Sequence, residues 1–522
     1  MSPVSKATSS FFSRWGHIAL VIGIILLGAF FRFWHLHTLP PGLHPDEAAN
    51  GFDVFRIIEN HDFRPFYSFN GGREGLFFYF QSLGVLIFGN TIYGLRVAPA
   101  FLGTLAVAAT YAWSSSWFGR RAGLIAAFLM AVTPWAVTIS RDGFRASELE
   151  LFVPLVLWLA TVAFRSGKAW HFIAAGAALG LGFYTYIAWR LFPVALVAIG
   201  LYLLIWRRGF IKKWFKQITL AFVAMAVVLI PMGLYGLHSP GDIAGRPGGV
   251  SFTNPGLNHG HPWQTLADNV VKTALMFNIH GDENYRHNLG GQPMLNIFVG
   301  VMFLLGIFYS LTRLRDLRYA ALLAVFGAML LPEVLTAEGI PHALRAIGAL
   351  APTLVLATVG VDYLLTRWNT VFPINSAARL SGSAAVVVLL LLTAYQGYTQ
   401  YFVAWASSQD TYDAYSEDSA TAANYLNSHG FNGKRYAVAG EYQMFTVDFL
   451  THHKASYTRV DPRDTASIPL DKGQAKEFLY FEHDKEAVLK QLKLKFPSGH
   501  ISPHYSAFSN NELFQTYTVP AQ

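Results

Sequence analysis

Residues 15–47 read WGHIALVIGIILLGAFFRFWHLHTLPPGLHPDE. The run from Trp15 to Trp34 is almost wholly apolar, and at ~1.5 Å per residue it can cross a hydrocarbon core of ~30 Å. A polar stretch follows and ends in His44-Pro45-Asp46-Glu47. A span with two adjacent carboxylates just beyond it predicts a membrane chain whose first loop carries acid–base groups at the water boundary. Lys6 and Arg14 precede the run and no small-residue cleavage site follows it. That predicts an uncleaved anchor with its N-terminus inside.

Composition agrees with this start. Of 522 residues 53% are apolar and only 13% charged, where a soluble chain carries about a quarter charged. With 42 Phe, 24 Tyr and 13 Trp, the aromatic content suits membrane interfaces. The net charge of +8 does not point to nucleic acid, because the basic residues sit in short loops between apolar runs. Cysteine is absent, which excludes disulfides, thiolate chemistry and any Cys-built metal site.

Further runs of span length cover roughly 92–117, 122–140, 147–164, 170–187, 190–206, 217–236, 294–312, 319–335, 344–365 and 383–404, giving about eleven spans in all. Arg120-Arg121, Arg165 with Lys168, Arg207 to Lys213, Arg313 to Arg318 and Arg367 then share one face, which the positive-inside rule makes cytoplasmic. Loops 36–91, 141–147, 236–293 and 336–344 and the C-terminus fall on the other face. Gly75 to Phe88 is short and aromatic, and is expected to lie in the outer interface.

The predicted fold is therefore an α-helical polytopic membrane protein with a transmembrane part over 1–406. Residues 407–522 are polar enough for a small extracytoplasmic α/β domain. In it 419–428 and 485–494 read as helices, and 435–439, 477–481 and 513–519 as strands. No catalytic motif is evident there, and scaffolding or partner contact is its expected role.

Candidate chemistry lies in the outer loops. Asp46 and Glu47 diverge by about 100° on a helix, so they cannot address one atom alike. One reading has Asp46 cap a helix from Glu47 to Glu59; the other makes it a general base for an acceptor hydroxyl. Arg73-Glu74 follows the turn Asn70-Gly71-Gly72. Arg141 and Arg145 can hold a phosphate through charge-assisted hydrogen bonds, or anchor lipid headgroups. Glu338, His342 and Arg345 make a short, unusually polar loop. His280 to Asn288 is rich in histidine and carboxylate, a composition that permits a metal but matches no zinc spacing. Tyr184, Tyr186 and Trp189 read as an aromatic belt rather than a sugar platform.

Asp46-Glu47, Gly71-Gly72-Arg73-Glu74, Arg141 to Arg145, Gly281 to Asn288 and Pro341 to Arg345 together resemble the C-type glycosyltransferases. The branch is that of the dolichyl-phosphate-mannose-protein mannosyltransferases and lipid A aminoarabinose transferases. The resemblance covers the membrane part. It implies inverting transfer from a polyprenyl-phosphate sugar to a protein, lipid or glycan acceptor outside a bacterial plasma membrane. It further implies Asp46 as the base with Glu47 in support. Arg73, Arg141, Arg145, His342 and Arg345 would bind substrate, and Glu74 with His280 or His287 a divalent metal. Arg73-Glu74-Gly75 stands where the aminoarabinose branch carries Glu-Lys-Pro, so the lysine contact to the donor phosphate that the resemblance would imply has no counterpart here. A flippase for lipid-linked sugars is the contrasting class. Transporters carry ionisable or broken positions near the midplane and related halves, whereas charges here gather at span ends.

Overall fold

The computed structural model describes residues 3–470 and 473–521. Among them, eight helices are long and apolar enough to cross a bilayer, and three shorter apolar helices lie at Leu76–Phe88, Ala169–Tyr184 and Ile297–Leu311. In Arg208–His238, 31 residues long, none of the most apolar window is buried by protein. An apolar face of that extent is stable only against lipid. The protein is an integral membrane protein.

Eight of the eleven expected spans are long apolar helices. The runs at 170–187 and 294–312 form two of the shorter ones. The run at 122–140 breaks: one helix, Arg120–Val132, ends at Thr133 and another, Pro134–Ile139, begins. Pro134 disfavours helical backbone at the residue before it, and Thr133 is extended at φ −65°, ψ 127°. Leu76–Phe88, at 13 residues, is only about 20 Å long.

The chain forms two compact units. The first comprises Met1–Trp34, Phe63–Phe77 and Val97–Trp405. Buried arginines stitch it together. Arg32 donates to the carbonyls of Gly28, Met130 and Ala131 at 3.1–3.2 Å, and lies 3.8 Å from Glu150. Both charges sit near helix ends. The helices Ile297–Leu311 and Leu350–Val371 cross where Gly306 meets Gly360. A Cβ on Gly306 would lie 1.8 Å from the Leu356 carbonyl oxygen, and one on Gly360 2.1 Å from that of Met302. Such small-residue crossings let backbones approach closely. Gly306→Val is therefore expected to destabilise the protein by at least the ~1–3 kcal/mol of ordinary overpacking. Thermal melting in detergent checks this, and an unshifted melting temperature would refute it.

The second unit comprises His35–Asp62, Phe78–Arg96 and Ala406–Gln522. Its five-stranded sheet has the order Thr458–Val460, Lys434–Val438, Lys476–Phe481, Glu512–Val519, His500–Tyr505. The first three strands are parallel and the last two pair antiparallel. Tyr436, Phe478, Val488, Leu492, Phe496 and Tyr517 are among its core residues. The helices expected at 419–428 and 485–494 are Glu417–Ser428 and Lys485–Lys495, and the three expected strands are present. Two edge strands and the helix Glu441–Thr451 are additional. The first-loop helix Pro45–Asn60 packs on that helix through stacked Phe55 and Phe449 rings, 5.2 Å apart, and an edge contact of Phe52 with Phe445.

Candidate functional site

Asp46 and Glu47 open the helix Pro45–Asn60, and the cap of that helix is His44 rather than Asp46. The His44 imidazole Nδ1 accepts from the Asp46 N–H at 3.1 Å. Glu47 completes the capping box by accepting from the His44 N–H at 3.4 Å. Pro45 at the first helical position needs no partner for a missing donor. With the cap supplied by His44, the Asp46 carboxylate is left 35% exposed and accepts from the Tyr442 hydroxyl at 3.0 Å.

Glu47 faces the other way. Its side chain and that of Arg96 are both 0% exposed. The pair is bidentate, with Arg96 Nε on Oε2 at 2.8 Å and Nη2 on Oε1 at 2.7 Å. Arg96 also donates to the carbonyls of Pro40 and Gly42 and lies over the Tyr415 ring. Burial and this pairing make Glu47 a clasp for the first loop, in place of the supporting catalytic contact expected from the sequence.

In the first unit, Arg73 and Glu74 pair antiparallel with Phe66 and Tyr67. The turn before them needs left-handed backbone at Gly72, φ +80°, where a Cβ would meet the Phe66 ring at 2.9 Å. Glu74 is held from both sides: Arg145 Nε donates to Oε2 at 2.9 Å and Arg190 Nη2 to Oε1 at 3.1 Å. Arg145 also lies 5.4 Å over the Tyr186 ring. Glu148 is buried nearby with neither carboxylate oxygen hydrogen-bonded among the described residues. A metal on Glu74, which the family resemblance implies, does not fit these residues: two guanidinium groups already take its oxygens. The charge a divalent ion would bring is present as a pair of arginines.

Several expected roles change with placement. Arg141 is fully buried and donates to the Phe31 and Arg32 carbonyls and to Tyr401, each at 2.9 Å. It fastens structure where a phosphate contact was expected. Arg73 is buried, with its guanidinium over the Phe69 ring. Tyr184 donates to the Val228 carbonyl and Trp189 to that of Leu179, so these two are packing residues and Tyr186 serves Arg145.

The third group lies on two loops of the same unit. Asp282 Oδ2 accepts from His287 Nδ1 at 3.0 Å and from the Ala343 N–H at 2.8 Å, which sets the His342 ring 4.6 Å from that of His287. Burial pushes the His287 imidazole below its ordinary value, against the pull of Asp282. His342 is pushed well below, by burial first and then by His287, Arg345 and Arg286. His280 stands apart, exposed on Glu283. Arg345 bonds Glu338 at 2.8 Å through Nη2 and the Glu338 carbonyl through Nη1. Phe144 touches the His287 ring edge-on, joining loop 141–145 to this group.

Glu148 and Arg190 were absent from the candidates read in sequence, and Asp282 entered only within the histidine- and carboxylate-rich stretch His280 to Asn288. Glu148 had a signal: with Glu150 it puts two carboxylates at the head of an apolar run, where charge is costly. Arg190 had none beyond its place after an aromatic cluster.

Residues 75–233 match the family model described as dolichyl-phosphate-mannose-protein mannosyltransferase. YkcB of Bacillus subtilis (strain 168), which carries a provisional mannosyltransferase name, is 33% identical over 150 residues, a stretch covering 28% of this chain and 20% of that protein. Among solved structures, ArnT from Cupriavidus metallidurans in the apo state superimposes with a TM-score of 0.59 at 14% identity, over 97% of this chain and 98% of that one. The same protein bound to undecaprenyl phosphate gives 0.58 over 96% and 98%. Archaeal oligosaccharyltransferase AglB from Archaeoglobus fulgidus, with an inhibitory peptide and a dolichol-phosphate, gives 0.56 at 15% identity over 96% and 74%. The fold is shared with ArnT and AglB.

Proposed function

We propose that this chain is a membrane glycosyltransferase that moves a sugar from a polyprenyl-phosphate donor to an acceptor hydroxyl with inversion, on the outer face of the membrane. The observation that carries the reading is Asp46: a carboxylate at the head of a first-loop helix, relieved of capping by His44 and partly open to solvent. The similarity to ArnT and AglB, solved with undecaprenyl phosphate and a dolichol-phosphate respectively, supports the donor class. In the proposed step the acceptor oxygen attacks the anomeric carbon and gives its proton to Asp46. The bond to the phosphate oxygen breaks, and polyprenyl phosphate leaves. Its developing charge calls for cations in the donor site.

The direct test incubates the purified chain with a panel of polyprenyl-phosphate sugars and acceptors and follows released polyprenyl phosphate. Release with none of them would overturn the reading. The proposed orientation follows from the Lys/Arg loops. Reporters fused after residue 210 and after residue 522 are expected on opposite faces, and finding both on one face would refute it.

A further inference from the structure

We infer that Asp282, His287 and His342 form a binding site for a divalent transition metal of the zinc class. One ligand atom from each lies within 4.8 Å of the others. Neighbouring ligands of tetrahedral zinc stand about 3.4 Å apart, from bonds of about 2.0–2.2 Å, so closure on an ion needs movement of about an ångström. Two imidazoles and one carboxylate make the mixed N/O set that zinc accepts, and not the all-oxygen shell of calcium or magnesium.

Three observations separate this cluster from an ordinary buried hydrogen-bond group. First, His342 Nδ1 is sealed from solvent with no hydrogen-bond partner among the described residues. A buried polar atom left so is unfavourable, and an ion would supply its partner. Second, the loops are braced before any ion arrives. Asn288 Nδ2 donates to the Asp282 and Gln292 carbonyls, the Gly291 N–H donates to the Asp282 carbonyl, and Trp135 and Trp405 donate to the carbonyls of Ala343 and Tyr285. Third, Asp282 and His342 line a cavity of about 630 Å³ together with His280, Glu283, Lys272 and Pro341. With two of its three protein ligands bordering open space, the cluster leaves a fourth position for water or an anionic oxygen, the pattern of an exchangeable site rather than a closed structural one. The cations nearest the cluster are engaged: Arg345 on Glu338, and Arg286 on Asn284 and over the Phe144 ring.

A second histidine–carboxylate group, Glu59 with His452 and His453, is exposed, and both histidines already bond Glu59 Oε1, at 2.8 and 3.3 Å. It serves as the internal control. The inference stands apart from the proposed transfer reaction, because its readout is metal content.

The test uses the full chain in detergent, stripped with chelator and titrated with Zn²⁺ alone. One tightly bound ion per chain is expected. It should persist in the His452→Ala/His453→Ala variant and in His280→Ala, and bind at least about 100-fold more weakly after His287→Gln or His342→Gln. Melting of the metal-free variants at the parent temperature shows that the loss is not misfolding. Zinc-edge X-ray absorption on the His452→Ala/His453→Ala variant gives a measurement that leaves the site intact, with two imidazoles and a carboxylate expected. Absence of a tight ion, loss of it with His452 and His453, or an all-oxygen shell would each overturn the inference.

Discussion

Asp46→Asn is expected to lower the rate of sugar transfer by about 10²–10⁴-fold, the usual contribution of a placed general base, with folding and donor binding nearly unchanged. The substitution keeps shape and keeps an amide oxygen for the Tyr442 hydroxyl, which donates to Asp46 at 3.0 Å. It removes basicity alone. A merely structural Asp46 predicts the opposite split. The helix cap is His44, so no cap is lost, and a surface substitution without one is worth only about 0.5 kcal/mol of stability. Turnover per folded molecule therefore separates the two. Loss in kcat with an unchanged melting temperature supports the base, and near-normal turnover in a well-folded Asp46→Asn protein would sink it.

Arg96→Met and Glu47→Ala should each destabilise the second unit by about 3–5 kcal/mol, because each strands the other charge where water cannot reach it. Both side chains are 0% exposed. Arg96 also carries the carbonyls of Pro40 and Gly42, so its loss should loosen residues 35–62 to protease. Removing both charges together, as Glu47→Met/Arg96→Met, should recover part of the loss, which a double-mutant cycle measures. The two neighbouring carboxylates then give opposite signatures: Asp46 moves turnover, and Glu47 moves stability. A Glu47 variant that melts like the parent yet has lost turnover would refute the clasp.

How far the sequence could be read follows from what each residue touches. Lys434–Val438, Lys476–Phe481 and Glu512–Val519 are the three inner strands of the sheet, and burial gave them an apolar, aromatic pattern. Thr458–Val460 and His500–Tyr505 are its two edges. The first is three residues long and the second is largely exposed and contains Pro503, which an edge tolerates, so neither carries a strand signature. The spans were legible from length and apolarity, except where Pro134 divides one. At the site, adjacency alone foretold that Asp46 and Glu47 would diverge. Which of them turned inward depended on Arg96, 49 residues away. The cap was hidden because histidine is not among the favoured cap residues. Arg141 and Arg145 look alike in sequence. They part company because one meets backbone carbonyls and the other a carboxylate.

The joining of the first loop to the C-terminal residues sets a timetable for synthesis. Tyr442 bonds Asp46 across 396 residues of chain, and Thr446 bonds the Leu43 carbonyl across 403. At about 5–20 residues per second, a ribosome that has just made the first loop needs roughly 20–80 s to deliver its partners. Throughout that interval Phe52 and Phe55 lack the rings of Phe445 and Phe449 that they meet in the finished fold. A nascent chain stalled before residue 441 would hold its first loop in that state indefinitely, making it a ready substrate for quality-control proteases.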